Sequence, residues 1–426
     1  MLRALRHRDF RLLWIGQAVS LLGDGIYLVA IAWLVYDLSN APGALAAVGF
    51  AWTLPQVATL LFAGVLSDRF ERRLLLVLAD VLRFVAIGLL ATLSLTDAIH
   101  LWHVFALVVV YGVGEALFQP SFTAIVPSVV PRRELLQANA LRELMEPIGM
   151  RFAGPALGGL LIGMADVGTA LLVDACSFAV SAIAVSMIGR RPPEAPDAAG
   201  SVRRELADGI AYVRSQPWLW ATLIGAALAL LASFGPVEVL LPFIIRNDLG
   251  GDAATFGTVL AAGGLGSIAA AALISRTGPP RRHMTFMYAC WAISTAADIP
   301  LAFANAAWQM CACTFVAFAG ATAGMVVWNT LMHTRVPSHM LGRVSSLDWF
   351  LSIGLVPVSF AITGPIAQLI GAKATLAGAG VLGTIACAVF FLPGVRDPER
   401  EPLPSVRGDA AVAAAHAPEP EVSSVG

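Results

Sequence analysis

The chain has 426 residues, of which 58% are hydrophobic and 13% are charged, and its mean hydropathy is +0.77. Soluble domains keep about a quarter of their residues charged, so this composition excludes an ordinary soluble protein and predicts an all-α protein that crosses a membrane many times. The formal net charge of −1 excludes a nucleic-acid-binding protein that relies on bulk positive charge.

Twelve apolar runs are long enough to cross a bilayer as helices, which takes about twenty residues each. The first run follows a basic start, but it is too long for a signal peptide, so we expect it to remain as an uncleaved span. The predicted spans lie near residues 12–36, 43–66, 74–96, 101–126, 144–163, 167–189, 218–245, 254–275, 284–304, 307–331, 344–370 and 373–393.

The basic residues test this layout independently. The N-terminus, the even-numbered loops and the C-terminal tail hold 23 of the 27 basic residues, whereas the opposite loops hold only Arg246 and Lys373. Since basic loops stay in the cytoplasm, we expect both termini to be cytoplasmic.

The loop between spans two and three reads GVLSDRFERR over residues 64–73. It resembles the signature of the major facilitator superfamily of transporters, and departs from it at Glu71, where the family has glycine. The matching residues taken as a cytoplasmic gate motif are Gly64, Asp68, Arg69, Arg72 and Arg73. The resemblance implies that Asp68 faces the start of span eleven, where a helix N-terminus favours negative charge, and latches an inner gate.

Span five contains a motif of small residues and proline, made of Gly149, Gly154, Pro155, Gly158 and Gly159. Gly154 and Gly158 lie on one helix face and allow a neighbouring helix to approach closely. Pro155 has no N–H, so the helix is expected to bend there. The motif resembles one that is associated with antiporters of the superfamily, and ordinary small-residue packing is the alternative.

Ionisable residues inside spans are costly, so each of them needs an explanation. Asp24 in span one and Glu115 in span four lie near the bilayer centre, and Arg151 lies in span five. One hypothesis makes Asp24 or Glu115 a proton carrier and Arg151 its positive partner; the alternative is a static ion pair.

The other charged residues within or beside the spans are expected to matter less. Asp174, Glu238 and Asp298 are weaker candidates, and Asp80 with Arg83 is interpreted as a local ion pair near the cytoplasmic end. Glu143 and Glu146 are expected at the headgroup level with Arg142. Proton antiporters that the chain resembles carry an arginine in span four, which this chain lacks, so Arg151 would have to replace it.

Aromatic and polar residues inside the spans are candidates for lining a substrate cavity. Three tryptophans lie within spans rather than at the membrane interfaces that tryptophan prefers, and Gln119 follows Glu115 on the same face. The candidates are Gln119, Phe118, Trp52, Trp291 and Trp328, with Met325 and Phe122 beside them. Plain helix packing is the alternative for most of them.

The chain divides into two similar halves. Residues 130–141 resemble residues 336–347, which lie 206 positions later, as expected of parallel six-span repeats. The predicted domains are a first six-helix bundle at 1–189, a cytoplasmic linker with an amphipathic helix at 190–217, a second bundle at 218–393 and a disordered tail at 394–426.

The sequence as a whole resembles the drug-efflux branch of the major facilitator superfamily, including bacterial macrolide and enterobactin exporters, over residues 3 to about 393. The resemblance implies two parallel pseudo-symmetric bundles and proton-coupled export of a bulky hydrophobic molecule, an antibiotic or a siderophore. We expect a monomer of the bacterial plasma membrane whose partners are a small-molecule substrate, protons and the bilayer.

Several other functions are weighed or excluded at this stage. An importer or facilitator of a small metabolite, or a non-transport sensor or assembly protein, is the alternative. The five cysteines lie in apolar runs without ligand spacing, so no metal site is expected from them. No cofactor and no enzymatic activity are expected either. No phosphate-binding P-loop is present, which excludes direct ATP drive within this chain.

Overall fold

The computed structural model describes residues 3–131, 134–189, 202–278 and 280–400, without the side chains of residues 60–69, 136, 140, 143, 202–206, 338 and 339. The described part is almost entirely helical. Its α-helices are α1 Arg8–Leu38, α2 Pro42–Arg69, α3 Arg72–Leu95, α4 Leu101–Val129, α5 Leu135–Met145, α6 Gly154–Met164, α7 Val167–Ser186, α8 Val202–Ser215, α9 Pro217–Asn247, α10 Ala253–Thr277, α11 His283–Ala296, α12 Asp298–Ala302, α13 Ala307–Arg335, α14 Ser338–Gly354, α15 Val356–Ile370 and α16 Ala372–Ala386. A π-helix, Glu146–Ala153, joins α5 to α6, and short 3₁₀ turns lie at Ala4–Arg6, Cys387–Phe391 and Asp397–Arg400.

Nine helical stretches of the described part are each long and apolar enough to cross a membrane. They correspond to the predicted spans one, three, four, six, seven, eight, ten, eleven and twelve. The remaining predicted spans fall on α2, which has 28 residues, and on two interrupted helices, α5 to α6 and α11 to α12. The predicted all-α polytopic fold is confirmed.

Proline explains where the interrupted spans break. Pro155, Pro300 and Pro357 each lack a backbone N–H, so the carbonyl four residues earlier has no helical hydrogen-bond donor. The regular α-helical hydrogen bonding therefore stops nearby. The π-helix ends immediately before Gly154, α11 ends at Ala296, and α14 ends at Gly354. The helix in which a bend was predicted at Pro155 is therefore interrupted by a π-helical segment that ends just before Gly154.

The helices form two bundles. In the first, α1 packs on α6 and α7, α3 packs on α4 and α7, and α2 packs on α4; in the second, α10 and α11 pack on α13, and α9 packs on α15 and α16. Two contacts carry most of the packing between the bundles, α2 on α15 and α6 on α10. This arrangement is the major facilitator fold.

The outer surface of the bundles is apolar. Leu273, Ile183 and Leu382 lie within spans and expose about 60% of their surface (62%, 61% and 59%). A patch of this kind on a soluble monomer would drive association, whereas lipid solvates it.

Helix α8 lies across one end of the second bundle, where it contacts α14 and α9. Gly209 allows the approach, because a Cβ atom there would lie 3.2 Å from the Cβ atom of Arg343, and Arg343 also pairs with Asp208 at 3.4 Å. This is the amphipathic helix that the sequence predicts after the linker. Residues 190–201 of the linker and 401–426 of the tail lie outside the described residues.

Candidate functional site

Two glycines orient Asp24 inside the first bundle. A Cβ atom at Gly23 would collide with Ser177 and Asp174 of α7, and one at Gly25 would lie 2.8 Å from the Cα atom of Gly154 in α6. The glycines therefore let α7 and α6 pack directly on α1 to either side of Asp24. Asp24 itself faces α4 and is buried, with 9% of its surface exposed.

Asp24 accepts a hydrogen bond from the hydroxyl of Tyr111 in α4 at 3.0 Å. The ring of Tyr111 packs against Tyr27, with 4.7 Å between the centroids. Neither tyrosine was among the site residues predicted from the sequence. A signal exists for Tyr111, which lies four residues before Glu115 and therefore on the same helix face.

Glu115 joins α4 to α2. Its Oε2 atom accepts hydrogen bonds from the Trp52 indole at 2.9 Å and from the Gln56 amide at 2.6 Å. Gly112 makes this pairing possible, because it packs against the backbone carbonyl of Trp52. Trp52, a predicted cavity residue, thus contacts the carboxyl group directly.

Arg83 of α3 is the cation beside these carboxyl groups. It forms an ion pair with Asp80, and its side chain is 3% exposed. Its guanidinium carbon lies 4.3 Å and 4.5 Å from the ring centroids of Phe118 and Phe178. The positive charge of Arg83 acts on both Asp24 and Glu115.

The expected pairing of Arg151 with Asp24 or Glu115 is therefore wrong in this conformation. The local ion pair of Asp80 with Arg83 is present, and both of its side chains are buried in the bundle. Arg83 of α3, rather than Arg151 of span five, lies beside Asp24 and Glu115 in this structure.

Arg151 lies between the two bundles. It pairs with Glu146 at 3.5 Å, where both side chains are about half exposed (45% and 53%), and it lies 5.7 Å from the ring centroid of Phe318 in α13. It also interacts electrostatically with Glu238 of α9. Glu146, which was expected at the headgroup level, is the first residue of the π-helix.

Asp174 completes the buried acidic group of the first bundle. It is fully buried, its Oδ1 atom accepts a hydrogen bond from Ser177 at 3.4 Å, and it interacts with both Asp24 and Arg83. Four carboxyl groups, Asp24, Asp80, Glu115 and Asp174, thus share one guanidinium group among the described residues of this interior.

The glycine and proline motif of span five packs on both bundles. A Cβ atom at Gly154 would lie 2.6 Å from the Cα atom of Gly25, and one at Gly158 would lie 3.0 Å from that of Ile26. Gly159 faces the opposite way, and its Cβ atom would lie 2.7 Å from the carbonyl oxygen of Ala253 in the second bundle. Close packing by Gly154 and Gly158 is confirmed, and Gly149 also faces α1, at Leu21.

The remaining cavity candidates differ in their surroundings. Gln119 is exposed and accepts a hydrogen bond from Arg142 at 3.4 Å, and Trp291 is partly buried against Gly324. Phe118 is only 2% exposed, because it packs under Arg83 inside the first bundle, so the expectation that it lines the cavity fails in this conformation. Phe122 is buried as well, stacked on Phe118.

Trp328 is buried and donates its indole N–H to Asp348 of α14 at 3.0 Å. Asp348 lies within the predicted span 344–370, but it was not singled out among the charged residues of the spans. The helix begins at Ser338, so Asp348 lies ten residues inside it. Ser352, one turn further, donates a long hydrogen bond of 3.5 Å to the same carboxyl group.

Polar contacts join the bundles at the end that holds residues 39–41 and 248–252. Arg246 pairs with Asp37 at 2.6 Å, Asn40 and Asn247 exchange hydrogen bonds, and the Tyr36 hydroxyl donates to the carbonyl of Val239 at 2.7 Å. The bundles are closed against each other at this end.

The gate motif is described only in part. Arg72 and Arg73 begin α3, and Arg72 donates to the carbonyl of Ala124 at 3.0 Å. The side chains of Gly64, Asp68 and Arg69 lie outside the described ones, although α2 extends to Arg69. Among the described residues no group of three or more His, Cys, Asp or Glu side chains is arranged to hold a metal ion.

Comparisons with known proteins agree with the architecture. Residues 1–425 match the family described as transmembrane secretion effector. The multidrug efflux pump Tap of Mycolicibacterium fortuitum is 27% identical over 394 residues, which cover 88% of this chain and 93% of the pump.

Two further comparisons are less extensive or more distant in sequence. The macrolide efflux protein A of Streptococcus pyogenes is 24% identical over 246 residues, 57% of this chain and 60% of that protein. The crystal structure of a bacterial homologue of the iron transporter ferroportin, in an inward-facing state, has a TM-score of 0.67 at 18% identity and covers 92% of this chain and 99% of its own.

Proposed function

The chain belongs to the transmembrane secretion effector family of major facilitator transporters, and from this premise we propose that it exports a bulky, mostly apolar small molecule by proton-coupled antiport. The direction rests on its similarity to a multidrug pump and a macrolide efflux protein, and on the glycine and proline motif of span five. We place it in the bacterial plasma membrane as a monomer with both termini in the cytoplasm.

The buried acidic group around Arg83 carries the proposal of ion coupling. Burial penalises the charged form of a carboxyl group, and one guanidinium cannot balance four carboxylates in a low-dielectric interior. Protons that join and leave Asp24 and Glu115 would restore the balance. Tyr111 of α4 donates a hydrogen bond to Asp24, and Trp52 of α2 donates one to Glu115, which holds both carboxyl groups in place.

A mechanical link supports coupling of these protons to movement. Glu115 fastens α4 to α2, and the far side of α2 packs on the second bundle, where Gly43 lies opposite Gly364 and Gly49 lies opposite Phe360. Neutralising Glu115 weakens the charge-assisted bonds from Trp52 and Gln56. The position of α2 against α15, and hence the contact between the bundles, would change with it.

Arg151 is proposed to stabilise the present conformation rather than to carry protons. It bridges Glu146 of the first bundle and Glu238 of the second from a partly exposed position. Since the bundles are joined by Arg246 and Asp37 at the end that the basic residues assign to the outside, we infer that this conformation opens toward the cytoplasm. Asp68 would latch the inner end in the opposite conformation.

The substrate site is proposed to lie between the bundles. Trp52, Gln119 and Trp291 offer aromatic surface and few polar groups, as a site for a large apolar molecule does. Trp328 is only 3% exposed and would reach the site only after a rearrangement. Phe118 would reach it only if Arg83 moved. The two bundles, residues 1–189 and 218–393, would rock as two domains about the glycine contact of α6 with α10. They are joined by the linker at 190–217 and followed by the tail at 394–426.

Export assays test this function directly. Cells that express the chain in a strain deleted for its own pumps should accumulate less labelled macrolide than cells with an empty vector. An uncoupler that collapses the proton gradient should abolish the difference. Accumulation that rises on expression would instead favour an importer or facilitator, and unchanged accumulation across a panel of labelled antibiotics would favour a non-transport role.

A further inference from the structure

The segment that follows the last span folds back onto the end of the second bundle. Val395 is fully buried, and the carboxylate of Glu399 accepts the backbone N–H of Thr285 at 2.5 Å, in the first turn of α11. Arg335 of α13 donates to the carbonyl of Pro398 at 3.2 Å. Gly394, at φ +81°, supplies the turn that brings the segment back.

The folded segment creates a concavity of about 370 Å³, lined by Arg282, Thr285, Arg396, Glu399 and Arg400. Its lining holds three guanidinium groups and one carboxylate, and that carboxylate is already engaged by the N-terminus of α11. Arg396 is supported by the ring of Phe390 at 5.2 Å, and Arg400 by Asp397 at 3.0 Å. The lining of the concavity is therefore positive, and the folded segment contributes two of its three arginines, Arg396 and Arg400.

Arginine clusters of this kind suit phosphate, because the planar fork of guanidinium donors matches phosphate oxygens. The exposed apolar residues beside the concavity indicate that the phosphate belongs to a lipid headgroup. Phe391 and Leu392, directly before the turn, expose 78% and 40% of their surface, as residues that enter the acyl region of a bilayer do. The basic residues assign this end to the cytoplasmic leaflet, which carries anionic lipids.

We propose that this concavity binds the headgroup phosphate of an anionic phospholipid, which fixes the folded segment 392–400 to α11. The site lies at the end of the second bundle, away from Asp24 and Glu115, and it stands whether or not the chain exports drugs.

Lipid binding to the purified full-length chain in detergent tests the proposal. Phosphatidylglycerol should bind and raise the melting temperature, whereas phosphatidylcholine and inorganic phosphate should not. The variant Arg396→Gln with Arg400→Gln should bind phosphatidylglycerol about 25-fold more weakly, since each arginine near an anionic surface contributes about fivefold. Glu399→Gln removes the one carboxylate of the lining and should bind it more tightly.

Arg276→Gln is the matched control, because Arg276 is an exposed arginine in the last turn of α10 at the same end, outside the concavity. It should bind phosphatidylglycerol like the unmodified chain. Equal binding by the double variant, or equal weakening by Arg276→Gln, would overturn the site. A rise in melting temperature with inorganic phosphate alone would contradict the proposal that a phospholipid supplies the bound phosphate.

Discussion

The indole N–H of Trp52 donates to the carboxyl group of Glu115 at 2.9 Å and so ties α2 to α4 inside the first bundle. The amide of Gln56 donates to the same oxygen at 2.6 Å. Because α2 also packs on α15, helix α2 links the Glu115 carboxyl group to the contact between the bundles.

Glu115→Gln keeps the shape of the side chain and removes its charge and its proton. We expect gradient-driven transport to fall by about tenfold or more, the scale of a lost charge-assisted hydrogen bond. Uptake of labelled substrate by inverted membrane vesicles measures this. Val109→Ala, at an exposed position of the same helix outside the proposed site, is the control and should retain uptake. Unchanged uptake by Glu115→Gln would refute a coupling role for this residue.

Arg83 and Arg151 should differ sharply in stability. Arg83→Gln leaves Asp80 buried without its partner and should cost about 3–5 kcal/mol, whereas Arg151→Gln removes a half-exposed pair and should cost under about 1 kcal/mol. Thermal unfolding of the purified variants in detergent compares them. Similar melting temperatures would mean that Arg83 is not the cation that balances the buried carboxyl groups.

Gly154→Ala should loosen the packing of α6 on α1. The added methyl group would lie 2.6 Å from the Cα atom of Gly25, and an overpacked contact of this kind costs about 1–3 kcal/mol. Gly163→Ala is the matched control on the same helix, because its methyl group would meet only the Cβ atom of Ala254 at 3.9 Å. Equal melting temperatures for the two variants would contradict the close contact.

Arg246→Ala should weaken closure at the outer end. The pair with Asp37 joins the two bundles, and an exposed pair contributes up to about 1 kcal/mol, so the open population should rise by up to about fivefold. Spin labels at residues 98 and 306, in a background without the native cysteines, report the separation of the bundles. Lys373→Ala breaks a pair with Asp248 within the second bundle and should leave that distance distribution unchanged.

Span positions and the small-residue packing of span five follow from the sequence because both depend on local pattern. Twenty apolar residues require a helix in lipid, and two glycines four residues apart share one face. The prediction that Gly154 and Gly158 admit a neighbouring helix needed only that spacing. The apolar runs also predicted the overall fold class.

The partners of the buried charges do not follow from local pattern. Arg83 was interpreted through its sequence neighbour Asp80, yet it lies beside Asp24 and Glu115 because α3, α1 and α4 meet in three dimensions. Arg151 was assigned to those carboxyl groups, but the π-helix turns it toward Glu146 and the second bundle. Asp348 lies within a predicted span, but its bond to Trp328 of α13 depends on how two helices pack and not on the local sequence.

Substrate-dependent proton movement is the most direct test of coupling through Asp24 and Glu115. The chain, reconstituted in sealed vesicles with a pH-sensitive dye inside, should change the internal pH when substrate is added, in the direction opposite to substrate flow. The double variant Asp24→Asn with Glu115→Gln should bind substrate without any such change. A pH change in the double variant equal to that of the unmodified chain would contradict coupling through these two carboxyl groups.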